Sequence, residues 1–136
     1  MNNTRFATVI HMLTLMAKYP GQWLSSEWIA GSININPVMV RKELSLLQHW
    51  GWVQSKKGKE GGSMLQVPAT QITLADIFMA VKSAHVLGKK NKCEEGLCPV
   101  GRNINKALQQ LFDDADTALV DSLRDKTLAD FVQEVS

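Results

Sequence analysis

The chain has 136 residues, 45% of them hydrophobic and 21% charged, with a net charge of +2, which suits one small globular unit and excludes disorder over most of its length. No apolar run approaches the roughly 18 to 20 residues of a membrane helix, and no basic-then-apolar segment opens the N-terminus. Two cysteines exclude a disulfide scaffold, and the expectation is a cytoplasmic protein.

The small net charge hides a split. Residues 1–68 hold Arg5, Lys18, Arg41, Lys42, Lys56, Lys57 and Lys59 against Glu27, Glu43 and Glu60, a net of +4. The remainder holds eight basic and ten acidic residues, a net of −2. Such asymmetry suggests a front that meets a polyanion and a separate back.

The first predicted helix runs from Thr4 to Lys18, with Phe6, Val9, Ile10, Leu13, Met16 and Ala17 on one apolar face. Tyr19-Pro20-Gly21 stops it. A short helix follows from Ser26 to Gly31, capped by Ser25 and favoured by Glu27 in its first turn. The third helix is capped by Asn36 and begins with Pro37, where the missing N–H costs nothing. Val40, Leu44 and Leu47 form its buried stripe, and Val38, Arg41, Lys42, Ser45, Gln48 and His49 face the other way. Gly51 ends it. Two strands, Trp52–Lys56 and Ser63–Val67, flank the glycine-rich tip 57–62. Three helices and a hairpin in that order, with a short turn near Ser32–Ile35, describe a winged helix-turn-helix.

A further helix starts at Thr73-Leu74-Ala75-Asp76 and runs to Ala84, and the same tetrapeptide recurs at 127–130. Both are capping boxes with Asp in place of Glu, repeated capping chemistry without an internal repeat. A polar loop, Val86–Leu97, contains Cys93 and is followed directly by Cys98. The last long helix runs from Pro99 to Leu123, and its stripe of Ile104, Leu108, Leu111, Ala115, Ala118 and Leu119 has nearly heptad spacing. At about 36 Å it exceeds what one small globule easily covers. It packs either on its own domain or against its twin in a homodimer, and the second is the expectation. The fold class expected is mainly α with a small two-stranded antiparallel wing, residues 1–68 forming the DNA-binding domain and 69–136 the linker helix, cysteine loop and dimerisation helix.

In a major groove, the third helix would present Arg41, Lys42 and Ser45 near its N-terminal end. Arginine bonds bidentately to guanine O6 and N7, which makes Arg41 the expected base reader. Val38 and Met39 stand on the groove side, and free N–H groups near Asn36 and Val38 could hold a phosphate. Lys56, Lys57 and Lys59 on the wing suit minor-groove or phosphate contact, and Ser25 and Ser26 suit backbone phosphate. The alternative for each is a solvated surface charge. The expected partners are a double-stranded DNA operator and a second copy of the chain.

The sequence resembles the Rrf2 family of bacterial winged-helix transcription regulators, of the IscR, NsrR and CymR type. The resemblance is carried by TRFATVIHMLTLMA at 4–17, SSEWIAGSININPVMVRKELSLL at 25–47, GWV at 51–53, GKEGGSMLQVP at 58–68, ITLADIFMAV at 72–81 and CPVGRNI at 98–104. It implies a homodimeric repressor on a two-fold operator, with the third helix as recognition helix and Lys57 as the wing's basic DNA contact. Cluster-binding members of the family use three cysteines before the long helix. Here Gly101 and Arg102 stand where a third would fall, so neither a cofactor nor a bound metal is expected.

Cys93 and Cys98 leave three readings open: a reversible thiol switch, an iron–sulfur or other metal site shared across a dimer, and two inert thiols. A flexible loop could join the two sulfurs, and the start of a helix favours a thiolate at Cys98. Trp23, Trp28, Trp50 and Trp52 are expected to pack the helix-turn-helix core, with a ligand cage as the alternative. His11 reads as an ordinary structural residue and His49 as a phosphate contact, while Met12, Met16, Met39, Met64 and Met79 read as core fillers, Met39 also as groove-facing. No HExxH, GxSxG, P-loop or dinucleotide fingerprint is present, and the expectation is a regulator and no enzyme. An interaction module that kept the fold and lost DNA binding is the remaining alternative, opposed by Arg41, Lys42, Lys56 and Lys57.

Overall fold

The structure is a computed structural model that describes residues 4–82 and 99–136, the side chains of the second stretch from residue 103 onward. In chain order come α1 (Arg5–Lys18), α2 (Ser26–Ile33), α3 (Pro37–His49), β1 (Val53–Lys56), β2 (Gly62–Leu65), a 3₁₀ turn (Ala69–Gln71), α4 (Leu74–Val81), α5 (Pro99–Arg124) and α6 (Leu128–Glu134). The cysteine loop lies outside the described residues.

Local chemistry explains the element ends. Ser25 caps α2 by accepting from the N–H of Trp28 at 3.0 Å. The helix runs through Gly31 to Ile33, two residues beyond the sequence expectation, because Asn34 adopts the left-handed conformation (φ 67°) and closes it. Asn36 then caps α3 directly, leaving a turn of residues 34–36 between the two helices. The strands sit one or two residues off the expected bounds, since the pairing runs from Val53↔Leu65 to Lys56↔Gly62. Helix α4 ends at Val81 rather than Ala84, with Lys82 extended.

The wing is anchored to the helices by the segment before α2. Leu24 and Ser63 exchange both backbone hydrogen bonds, at 2.9 and 2.8 Å. The backbones approach so closely that a Cβ on Gly62 would lie 2.6 Å from the Leu24 carbonyl. Only glycine fits there, and Gly62 is one of the two adjacent glycines of the wing.

A single core joins the helices. Val9, Met12, Leu13 and Met16 of α1 pack with Ile29, Val40, Leu47 and Val53, and with Ile72, Ile77 and Leu128 from the second half. The two Thr-Leu-Ala-Asp segments meet here. Thr73 and Thr127 form an antiparallel bridge, in which Leu74 N–H donates to the Lys126 carbonyl (2.8 Å) and Leu128 N–H to the Ile72 carbonyl (2.7 Å). Each threonine also completes its own capping box with Asp76 or Asp130. The repeated tetrapeptide is therefore a paired helix start, and it seats Leu128 in the core with no exposed surface.

Trp52 packs against the core as expected and Trp23 is half-buried, while two tryptophans and one methionine depart from expectation. Trp28 and Trp50 are 43% and 47% exposed, and Met79 is 50% exposed. Trp28 packs edge-on against Tyr19, and Trp50 stacks on Trp52.

Because Leu128 closes the core from the far end of the chain, Leu128→Ala is expected to cost about 2–5 kcal/mol. Urea denaturation of the purified protein, followed by circular dichroism, measures this.

Candidate nucleic-acid interface

Helix α3 has one inward and one outward side. Val40, Leu44 and Leu47 are buried in the core. Glu43 is also buried, 3% exposed, because Arg5 reaches it from α1. The Arg5 Nε lies 2.9 and 3.1 Å from the two carboxylate oxygens. This charge-assisted pair buries the anion and engages a cation that is still partly exposed.

On the outward side Val38, Lys42, Ser45 and His49 are exposed, with Arg41 and Gln48 toward the wing. Met39 turns toward α1, in a depression shared with Thr8 and Lys42, and is 46% exposed. A cleft of about 400 Å³ separates the start of α2, the outer side of α3 and the wing. It brings together Ser25, Ser26, Arg41, Ser45, Lys56 and Lys57. Asn36, Val38, Met39 and Lys42 stand outside it on α3, and Lys59 lies at the wing tip beside Tyr19, Trp23 and Trp28.

Several of these groups already have partners. The Asn36 side chain accepts from Val38 N–H at 2.8 Å, and the Met39 N–H donates to the Asn36 carbonyl at 3.0 Å. Pro37 has no N–H. The start of α3 thus has no N–H in its first three positions left for a phosphate, contrary to the sequence expectation. Ser45 Oγ donates back to the Arg41 carbonyl at 3.2 Å, and Lys56 Nζ sits 5.9 Å from the Trp23 ring centroid.

Sequence reasoning missed the polar chain that joins α3 to the wing. Gln48 Nε2 donates to Ser55 Oγ at 2.8 Å, and Ser55 Oγ shares a 2.7 Å hydrogen bond with Ser63 Oγ. The strand register places the two serines opposite each other, a signal legible only once the hairpin pairing is known. Glu27, a favourable charge in the first turn of α2, also meets Arg41 with its carboxylate at 3.3 Å, a contact the sequence pattern does not signal.

The predicted pairing stripe lies on the far side of α5. Among the described side chains of that helix, Phe112 and Asp116 are buried, and Lys82 Nζ binds Asp116 at 2.8 Å. These hold α5 to the end of α4. The stripe itself is turned away: Ile104 and Leu111 are 51% and 53% exposed, Ala118 is exposed, and Leu108, Ala115 and Leu119 are half-buried. Cys93 and Cys98 lie outside the described residues.

Comparison with known proteins decides the family. The Rrf2 family, described as "Iron-dependent Transcriptional regulator", matches residues 2–134. The chain belongs to the Rrf2 family. Its relatives include YwnA of Bacillus subtilis (strain 168), named as an HTH-type transcriptional regulator, which is 35% identical over 135 residues covering 99% of each chain. Two solved structures share the winged-helix fold. IscR of T. potens superposes with a TM-score of 0.73 at 17% identity, over 100% of this chain and 88% of that one. CymR, the global cysteine regulator of B. subtilis, gives 0.65 at 21% identity, over 98% and 97%. This Rrf2 protein is thus a DNA-binding transcriptional regulator, and the family and its relatives are regulators rather than enzymes.

The family description names iron. Cys93 and Cys98 are the only cysteines of the chain, two thiolates where an iron–sulfur cluster takes about four protein ligands. Among the described residues no group of three or more His, Cys, Asp or Glu is placed to hold a metal ion. The donor set of one chain does not fit a cluster.

Proposed function

We propose that this protein is a homodimeric repressor that reads a two-fold DNA operator in the cytoplasm, with α3 in the major groove and the wing on the flanking backbone. The observation that carries the reading is the convergence of Arg41, Ser45, Lys56 and Lys57 on one cleft beside the start of α2. Residues 1–68 supply that surface, with Ser25, Ser26 and the outward side chains of α3 extending it. Val38 and Lys42 extend this surface along the outer side of α3, with Met39 at its α1 edge, and Lys57 and Lys59 approach phosphates. No helix among the described residues is long and apolar enough to cross a membrane.

Pairing through residues 69–136 is supported by α5. Its 26 residues span about 39 Å, and one face packs on α4 while the face offered to a second copy carries exposed Ile104 and Leu111 and half-buried Leu108, Ala115 and Leu119. Two such helices side by side bury apolar surface that a lone chain leaves wet. A dimer axis there sets the spacing of the two reading helices. Cys93 and Cys98, between α4 and α5 in sequence, are the proposed input of an oxidant, or of a small ligand, that shifts this spacing.

Duplex binding is expected to weaken steeply with salt, at about −0.9 in log–log slope per phosphate neutralised. Arg41→Ala should relax sequence preference, while Lys57→Ala should weaken all duplexes alike and flatten the slope by about 1. Fluorescence anisotropy on selected and random duplexes separates the two, and equal loss on both for Arg41→Ala overturns its role as base reader. Leu111→Glu is expected to give a folded monomer by sedimentation, with loss of two-fold operator binding. Diamide treatment should change duplex affinity in the wild type and leave the Cys93→Ser/Cys98→Ser variant unchanged. An unaltered wild-type affinity removes the thiol input.

A further inference from the structure

The surface read as the DNA face carries an acid in contact with its principal arginine. Glu27, in the first turn of α2, lines the cleft together with Arg41. Arg41 Nη1 donates to Glu27 Oε2 at 3.3 Å, with the side chains 55% and 71% exposed respectively. For affinity alone the placement is unfavourable, because a carboxylate there repels phosphates and cancels the charge of Arg41.

We infer that Glu27 is a specificity-determining residue that acts by positioning Arg41. The inference rests on the DNA-face reading above. An arginine has five N–H donors in a planar fork. A contact at Nη1 leaves the Nε and Nη2 edge free for a two-acceptor partner and restricts rotation of the guanidinium plane. A guanine edge offers two acceptors in that geometry. A phosphate can also take two donors of the fork, but its attraction to arginine depends on charge more than that of a neutral guanine edge, and the Glu27 carboxylate lowers the local positive potential at Arg41. The pair therefore lowers the affinity of Arg41 for any backbone more than its affinity for the correct base. The same contact stays exposed and weak, so it adjusts on binding without a large barrier.

The test uses the full-length protein. Duplexes selected from a randomised pool by the wild type give the preferred sequence, and affinities for that sequence and for random duplex are measured across a salt series. Glu27→Gln keeps the shape of the side chain and removes its charge. The expected result is random-duplex binding tightened about three- to ten-fold with a salt slope steeper by about 0.9, and preferred-sequence binding changed by less than about two-fold. In the Arg41→Ala background the same substitution is expected to shift both duplexes alike. The inference is overturned if Glu27→Gln changes both duplexes equally with Arg41 present, since that is plain removal of repulsion. It also fails if both bind more weakly, the signature of a lost helix start, or if the discrimination effect survives without Arg41. A wild type that shows no salt-dependent duplex binding overturns the DNA-face reading itself and this inference with it.

Discussion

The buried carboxylate of Glu43 is the constraint on which the reading head depends. It sits on the inward side of α3, where an unpaired charge would be strongly destabilising. Arg5 meets both its oxygens, and the Arg5 Nη1 also donates to the Val81 carbonyl at 3.4 Å. One guanidinium thus ties the start of α1, the middle of α3 and the end of α4. The next residue, Lys82, is bound to Asp116 of α5. Two ion pairs and one hydrogen bond thus connect α3 to α5, the helix that carries the apolar stripe. The pair contributes orientation more than surface charge, because neither member faces the cleft.

The rest of the architecture is closed by backbone pairing at two places far apart in sequence. Leu24 and Ser63 fasten the wing to the segment before α2, and Ile72 to Leu74 fasten α4 to the segment before α6. Both junctions need close backbone approach. At the first this is met by Gly62, and at the second by two capping boxes whose short Asp and Thr side chains satisfy the N–H groups of their own helix starts. The wing angle is then held by Gln48, Ser55 and Ser63, a polar chain that reaches back to α3. The cleft between them is accordingly a product of packing on one side and hydrogen bonding on the other.

The net +4 of residues 1–68 is not all free surface charge. Arg5 is spent inside on Glu43, and Arg41 is accompanied by Glu27. Lys42, Lys57 and Lys59 are exposed, and Lys56 leans over Trp23. The exposed positive charge of residues 1–68 is therefore carried mainly by lysines, while Arg41 shares its exposed surface with the Glu27 carboxylate.

Short-range rules were enough for much of this protein. Ser25, Asn36, Thr73 and Thr127 announced their helix starts, because a capping side chain bonds to the backbone two or three residues on and needs no distant partner. The period of Val40, Leu44 and Leu47 separated the inner from the outer side of α3 for the same reason, and the family resemblance spanned nearly the whole chain. Three features required the tertiary structure. Asn34 ends α2 through a left-handed turn that Gly31, the more obvious breaker, does not make. Trp28 and Trp50 stay at the surface and pack on Tyr19 and Trp52 instead, a placement set by where the helices cross. Partners distant in sequence, Glu27 with Arg41 and Glu43 with Arg5, become neighbours only when the helices cross. Composition and periodicity decided which elements form and which face of each is apolar. Which charges remain free to meet DNA was decided by long-range packing, since pairing depends on distance in space and no local pattern records it.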